Sequence, residues 1–210
     1  MSDTPANIRI LKNLKKAAKS YKDLMKIQYL IIYENKYIEI IFSKKYFKHL
    51  TGIKSPLNSR SFFDDAYRGK IRSYHIGFDA KHPYQLCNKK LNSIINLKDR
   101  FHSDLLMLHS VNTPTYIIPK GVTDFDFVLG LDVNNNINDK KIDDNLVPYT
   151  LRVDDEESFS KSKEQFQVDF VLSKLKTDSK YSNLCFGQTK YINYLPDNIK
   201  DLIDFEALFE

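Results

Sequence analysis

The stretch Phe47-Lys48-His49-Leu50-Thr51-Gly52-Ile53-Lys54 offers an imidazole, a hydroxyl, a glycine and an ammonium in close succession. His49 titrates near neutrality and can take and return a proton, Thr51 can hold an oxygen, and Lys54 can face an anion. Gly52 permits a turn that a side chain would obstruct, so these groups can converge. The same string also describes a helix ending on a C-cap glycine beside a surface histidine, and four residues alone do not choose. Thr150 and Arg152 form a second pair. They alternate along a strand-like run and so share one face, either a site or the solvated side of the strand. Lys70, Lys89 and Lys90 add cations on helical stretches.

These residue types suit cleavage of RNA without a metal. The ribose supplies its own nucleophile, the 2′-hydroxyl, so a protein need only move protons and neutralise the phosphate. Other chemistries lack their signatures: the chain has no Gly-rich phosphate loop, no His-Glu-x-x-His and no Gly-x-Ser-x-Gly. The histidines His49, His75, His82, His102 and His109 show no metal-ligand spacing on one helical turn, and His75 and His82 can meet only through a loop. The run Asp154-Asp155-Glu156-Glu157 could supply carboxylates to a metal, but such a run also describes a solvated turn. No cofactor or metal is expected.

The elements that must position these groups follow from periodicity. Ile8, Leu11, Leu14, Ala18, Tyr21 and Met25 recur at helical spacing, while Arg9, Lys12, Lys15, Lys16, Lys19, Lys22 and Lys26 fill the other positions. This predicts an amphipathic helix with a basic outer face, either solvated or in contact with nucleic acid. Residues 27–33 and 36–42 are rich in β-formers and predict a hairpin about Glu34-Asn35. A helical turn over 44–50 leads into Gly52, a helix over 59–67 is closed by Gly69, and 89–100 is helical again. Residues 73–78 are too short to assign. Strands are expected at 104–109, 115–119, 126–133 and 147–153, a polar loop over 134–139, and one more strand over 166–171. A short helix is expected over 195–210, where Asp197, Asp201, Asp204, Glu206 and Glu210 oppose only Lys200. That acidic segment either packs against the basic helix or covers an RNA groove as a phosphate mimic. Helices early and strands late predict an α+β fold with an antiparallel sheet.

With 210 residues, 42% hydrophobic and 28% charged, the chain can bury one sizeable core. A net charge of +5 leans towards a polyanionic partner. Cys87 and Cys185 lack Cys-x-x-Cys spacing and read as free thiols of a reducing compartment. No apolar leader and no run long enough to span a bilayer is visible, so a cytoplasmic protein with no membrane partner is expected.

In order, several blocks of this chain are similar to a known family. Phe47 and His49-Leu50-Thr51-Gly52-Ile53 come first, followed by Phe62, Asp65, Ala66, Gly69 and Lys70, and then by the Lys-Leu helix beginning Lys90-Leu91. Leu129-Gly130-Leu131 and Pro148-Tyr149-Thr150-Leu151 complete the series. The chain thus resembles, over about residues 36–180, the fourth group of phage-associated nucleases in the barnase–EndoU–colicin–RelE-like superfamily. The resemblance implies a barnase/RelE-like ribonuclease core and brings the two chemical blocks into one site. His49, Thr51, Thr150 and Arg152 would be catalytic, and Lys54, Lys70, Lys89 and Lys90 would bind RNA. The expected organisation is a basic helix over 1–26, a nuclease-like α+β domain over 27–185 and an acidic segment over 186–210. The expected function is a metal-independent endoribonuclease of phage or mobile-element type, acting as toxin, defence or anti-host effector, with RNA and a host protein or antitoxin as partners. The alternative is a module that keeps the fold but only binds nucleic acid or inhibits a protein.

Overall fold

Helix α1 (Pro5–Leu24) begins with Thr4, whose side chain accepts the amide N–H of Asn7, and with Pro5 in the first turn. Its apolar stripe, including Ile10, Leu14, Ala17 and Tyr21, is buried, and its cations remain exposed. The computed structural model describes residues 4–113, 116–134, 143–153 and 162–209. Strands β1 (Ile27–Tyr33) and β2 (Lys36–Ile41) form the expected hairpin. Glu34 (φ 47) and Asn35 (φ 57) both take positive φ, giving the turn whose twist matches that of the strands. Next come α2 (Lys44–Thr51), α3 (Ser59–Arg68), a 3₁₀ turn at Ser73–His75 and α4 (Tyr84–Arg100).

The chain then runs antiparallel through β3 (Leu106–Asn112), β4 (Ile117–Thr123), β5 (Phe127–Asn134) and β6 (Asp143–Val153). Strands β7 (Ser162–Gln167), β8 (Phe170–Leu175) and β9 (Asn183–Phe186) complete a nine-stranded sheet in the order β7-β3-β4-β5-β6-β2-β1-β8-β9. One junction is parallel, β2 with β6 through Ile40 and Leu146; the other neighbours are antiparallel. The fold is α+β, as the order of elements predicts.

Strand β1, seventh in the strand order, feeds two cores. Tyr29, Ile31 and Tyr33 face the larger core with α1 to α4, while Leu30 and Ile32 face a second core on the opposite side. Burial on both faces explains its nearly continuous apolar run. The second core is closed by three short pieces, α5 (Thr189–Ile192), α6 (Asp197–Lys200) and α7 (Phe205–Phe209), which together with the turns between them bury Ile192, Ile199 and Ile203. The described part of the acidic segment therefore lies across the sheet from α1, and among the described residues none of its carboxylates pairs with that helix. Backbone bonds from Tyr181 to Leu202 (2.9 Å) and from Asp204 to Tyr181 (2.9 Å) tie it in place.

The strand expected over 166–171 breaks at Val168-Asp169. Its first half joins β3 and its second half joins β1, with the corner fixed by Val168 N–H to Leu105 (3.1 Å) and Asp169 N–H to Ile32 (2.8 Å). Alternation persists through the corner, so the pattern cannot reveal it. Helix α4 starts at Tyr84, earlier than expected, and the expected C-terminal helix is several short turns. Most of the polar loop at 134–139 and all of the acidic run at 154–157 lie outside the described residues.

Candidate functional site

Helix α2 is anchored from behind. Tyr21 donates its hydroxyl to the carbonyl of Ser43 at 3.0 Å, and its ring packs beside Phe47 and Phe63. With Phe47, Leu50 and Thr51 buried, the helical repeat turns His49 to the other side. Gly52 ends the helix at φ 70, and its N–H donates to the carbonyl of His49 at 3.1 Å. A methyl group on Gly52 would come within 2.8 Å of Cδ2 of His82. The glycine therefore both turns the chain and admits a second imidazole.

The following loop is drawn in by Lys48, whose ammonium donates to the carbonyls of Ser55 (2.7 Å) and Leu57 (2.6 Å). Thr51 donates its hydroxyl to the carbonyl of Lys48 (2.8 Å) and accepts from Ile53 N–H (3.2 Å), so it shapes the helix end from within the core. His82 is set by a turn just before α4. Its backbone N–H donates to Oδ1 of Asp79 at 2.7 Å, and the Cys87 thiol lies 3.5 Å from its carbonyl. Nδ1 of His82 is sealed from solvent, and the Asp79 carboxylate lies 3.6 Å from it, too far for a hydrogen bond.

These elements enclose an open cleft of about 240 Å³. His49 and Lys54 line it from α2 and the loop beyond, Ser59 from the first turn of α3, His82 from the turn before α4, Lys90 from α4 and Thr150 from β6. Lys54 is held at the rim by Asp79 at 3.3 Å. Lys90 is only 7% exposed, and among the described residues its ammonium has no carboxylate partner. The described lining thus holds imidazoles and cations and no carboxylate.

The electrostatics follow from that crowding. Burial lowers the pKa of His49, and the positive charges of Lys90, His82 and Lys54 lower it further. Burial and Lys90 also lower His82, against the opposing pull of Asp79. Burial lowers Lys90, opposed by Cys87 and helped by Arg152. Asp79 is held below its usual range, first by the N–H of His82 and then by Lys54. The cleft by itself therefore favours neutral imidazoles, and an entering phosphate would relieve the cation crowding.

Strand β6 contributes through an irregularity. Gly130 pairs with Thr150 and the next residue, Leu131, pairs with Pro148, which leaves Tyr149 as the extra residue of a bulge. Its exposed ring lies 5.0 Å from that of His49, with Tyr116 edge-on at 6.3 Å. Gly130 also has a steric reason: a methyl there would lie 2.5 Å from Cγ2 of Thr150 and 2.9 Å from Ile118.

Of the residues singled out from sequence, His49, Lys54, Lys90 and Thr150 meet in the cleft. Arg152 lies two positions further along β6, near enough for its charge to act on Lys90. Thr51 is buried behind the cleft, Lys70 is exposed just beyond α3, and Lys89 is exposed on α4. Sequence reading missed His82, Lys48, Ser59 and Tyr149. The Asp79-x-x-His82-Pro83 turn signal was available for His82, but nothing in the spacing links it to His49.

No helix of the described residues is long and apolar enough to cross a membrane. No curated protein and no solved structure matches the chain. A family model described as phage-Barnase-EndoU-ColicinE5/D-RelE like nuclease4 does match, over residues 13–190. That span runs from within α1 past β9 and includes every residue lining the cleft. The chain belongs to this phage-associated family of nucleases.

Proposed function

We propose that the protein is an endoribonuclease that cuts RNA by attack of the substrate's own 2′-hydroxyl, with no metal in the reaction. The observation that supports this best is the cleft wall, which brings together His49, His82 and the cations Lys54 and Lys90, with no carboxylate among its described lining residues. Such a donor set suits a phosphodiester and offers little to a divalent cation. His49, whose pKa is lowered by burial and then by the positive charges around it, is the general base: an imidazole nitrogen takes the proton as the 2′-oxygen bonds to phosphorus. Burial and Lys90 lower the pKa of His82, and the neighbouring Asp79 opposes them; with a phosphate bound against Lys90, His82 is the general acid and returns a proton to the 5′-oxygen as the phosphorus–oxygen bond breaks. Lys90 and Thr150 face the developing charge on the phosphorane oxygens, with Arg152 adding positive field behind them. Tyr149 offers a ring on which the adjoining base can stack. Thr51 serves the turn that holds His49, and Lys54 receives the phosphate at the rim. The biological setting is a toxin, defence factor or anti-host effector acting on RNA in a bacterial cytoplasm, with an antitoxin or host protein as a further partner.

The test is incubation of the purified protein with total RNA in excess EDTA, followed by end-group analysis. Fragments ending in 2′,3′-cyclic phosphate are expected, and DNA should stay intact. Magnesium-dependent cutting of DNA would refute the mechanism, and no fragments under any condition would favour the non-catalytic binding module.

A further inference from the structure

We infer that a single-stranded polynucleotide continues from the cleft along residues 67–77 and onto the exposed face of α1. The inference deepens the reading above, since it takes the cleft as the end of the strand, but the track itself uses other residues. Continuity is the first observation. Lys54, at the cleft rim, is joined to Gly77 by two backbone hydrogen bonds of 3.0 and 2.9 Å. Back from Gly77, the preceding segment reads Tyr67-Arg68-Gly69-Lys70-Ile71-Arg72-Ser73-Tyr74-His75. Ile71 is buried and pins the segment, while Arg68, Lys70 and Arg72 are exposed. Tyr74 is 77% exposed and Tyr67 41% exposed.

The segment abuts α1. The side chain of Lys15 lies over Gly69 so closely that a methyl there would meet its ammonium at 2.9 Å. On either side of that contact the exposed cations Arg9, Lys12, Lys16, Lys19 and Lys22 are spread along the helix. At a rise of about 1.5 Å per residue they span roughly 20 Å. Asp23 is the one carboxylate in α1, and it pairs with Lys26 at 2.8 Å. Among the described residues no carboxylate pairs with the other cations of this strip.

The exposed rings of Tyr67 and Tyr74, set on either side of Arg68, Lys70 and Arg72 between the cleft and the cations of α1, identify the occupant. Phosphates need the cations, and unpaired bases need flat apolar faces on which to stack. A duplex presents phosphates but hides its base faces, and an anionic membrane or acidic protein has no unpaired bases to lay on the two exposed rings. RNA and DNA strands share the recognised chemistry.

The experiment uses full-length protein carrying His49→Ala, so that binding is read without cleavage. A labelled 12-nucleotide single-stranded RNA, the matching DNA strand, the RNA duplex and anionic phosphatidylserine vesicles are titrated at several salt concentrations. Adding Lys12→Gln, Lys19→Gln, Arg68→Gln and Lys70→Gln should reduce the salt slope for the single strand by about 2–3, at roughly 0.7 per phosphate contact. Adding Tyr74→Ala instead should weaken single-strand binding by about 5- to 100-fold and leave the slope unchanged. Melting temperatures should move by no more than about 2 °C, since every side chain changed in the track is exposed. Either strand bound with these dependences supports the track, and the stronger of the two identifies its source. An unchanged slope, tighter binding of the duplex, or vesicle binding lost with the same cations overturns it. Because no cleavage is measured, a cleft that fails to cut RNA leaves this result standing or falling by itself.

Discussion

Replacing Lys90 with Met should raise stability while lowering activity. Lys90 is 7% exposed. Burial holds its pKa down, because the protein around it disfavours the charged form. Nearby Arg152 adds to that effect and Cys87 opposes it. The Lys90 side chain packs beside the Gly52 position, and methionine has a similar length and can refill that aliphatic space. Exchanging a buried charge for a well-packed apolar side chain should stabilise the fold by about 1–2 kcal/mol. For a chain of this size that corresponds to a rise of roughly 2–8 °C in melting temperature. The chemistry should move the other way. After burial itself, Lys90 is the largest cause of the lowered pKa of both His49 and His82. Without it both imidazoles should titrate at higher pH, and loss of the cation facing the phosphate should slow cleavage by about 10²- to 10³-fold. Thermal melts, imidazole titrations by NMR and cleavage rates against pH, on wild type and Lys90→Met, measure all three. A variant that melts several degrees lower, or histidines whose titrations do not move, would refute the electrostatic reading of the cleft.

Other consequences are as direct. His49→Ala should slow RNA cleavage by about 10²- to 10⁴-fold and remove one limb of the pH–rate profile, with the fold retained by circular dichroism. His49, His82 and His109 all have folded pKa values below their ordinary value, so the unfolded chain binds more protons as pH falls. Their contribution is complete above about pH 6.5 and is lost as pH falls through the folded values, so the melting temperature should decline between about pH 7 and pH 5. A flat profile there would contradict this. Deleting residues 197–210 removes Ile199 and Ile203 from the second core. The deletion should cost several kcal/mol, at about 2–5 kcal/mol per buried aliphatic side chain lost. That loss is a fall of about 10 °C or more by calorimetry. Binding of a short RNA should change little, because the segment lies across the sheet from α1 and the cleft-forming helices.

What the sequence determined is what local pattern and local chemistry determine. The stripe of α1 apart from Ile8, which is exposed, the Glu34-Asn35 hairpin, the glycine ends of α2 and α3, and the order of helices before strands all follow from short-range rules, and the structure bears them out. The ordered blocks about His49 and Thr150 likewise pointed to the family. Tertiary structure alone decided which groups meet. Lys89 and Lys90 are neighbours of the same type, and the rotation of α4 against its core sends one outward and the other under the cleft. Thr51 carries a suitable hydroxyl, but burial of its helix face commits that hydroxyl to the turn. His82 lies far from His49 in sequence, and the two meet because Gly52 has no side chain where the imidazole must lie. Tyr149 reaches His49 through one extra residue in β6, a bulge that arises from pairing with β5 and leaves no mark in the alternation of the strand. The acidic segment illustrates the same limit on a larger scale. Charge suggested a partner in α1, but Ile192, Ile199 and Ile203 find their apolar surface on the opposite face of β1, and burial of that surface outweighs exposed charge pairing.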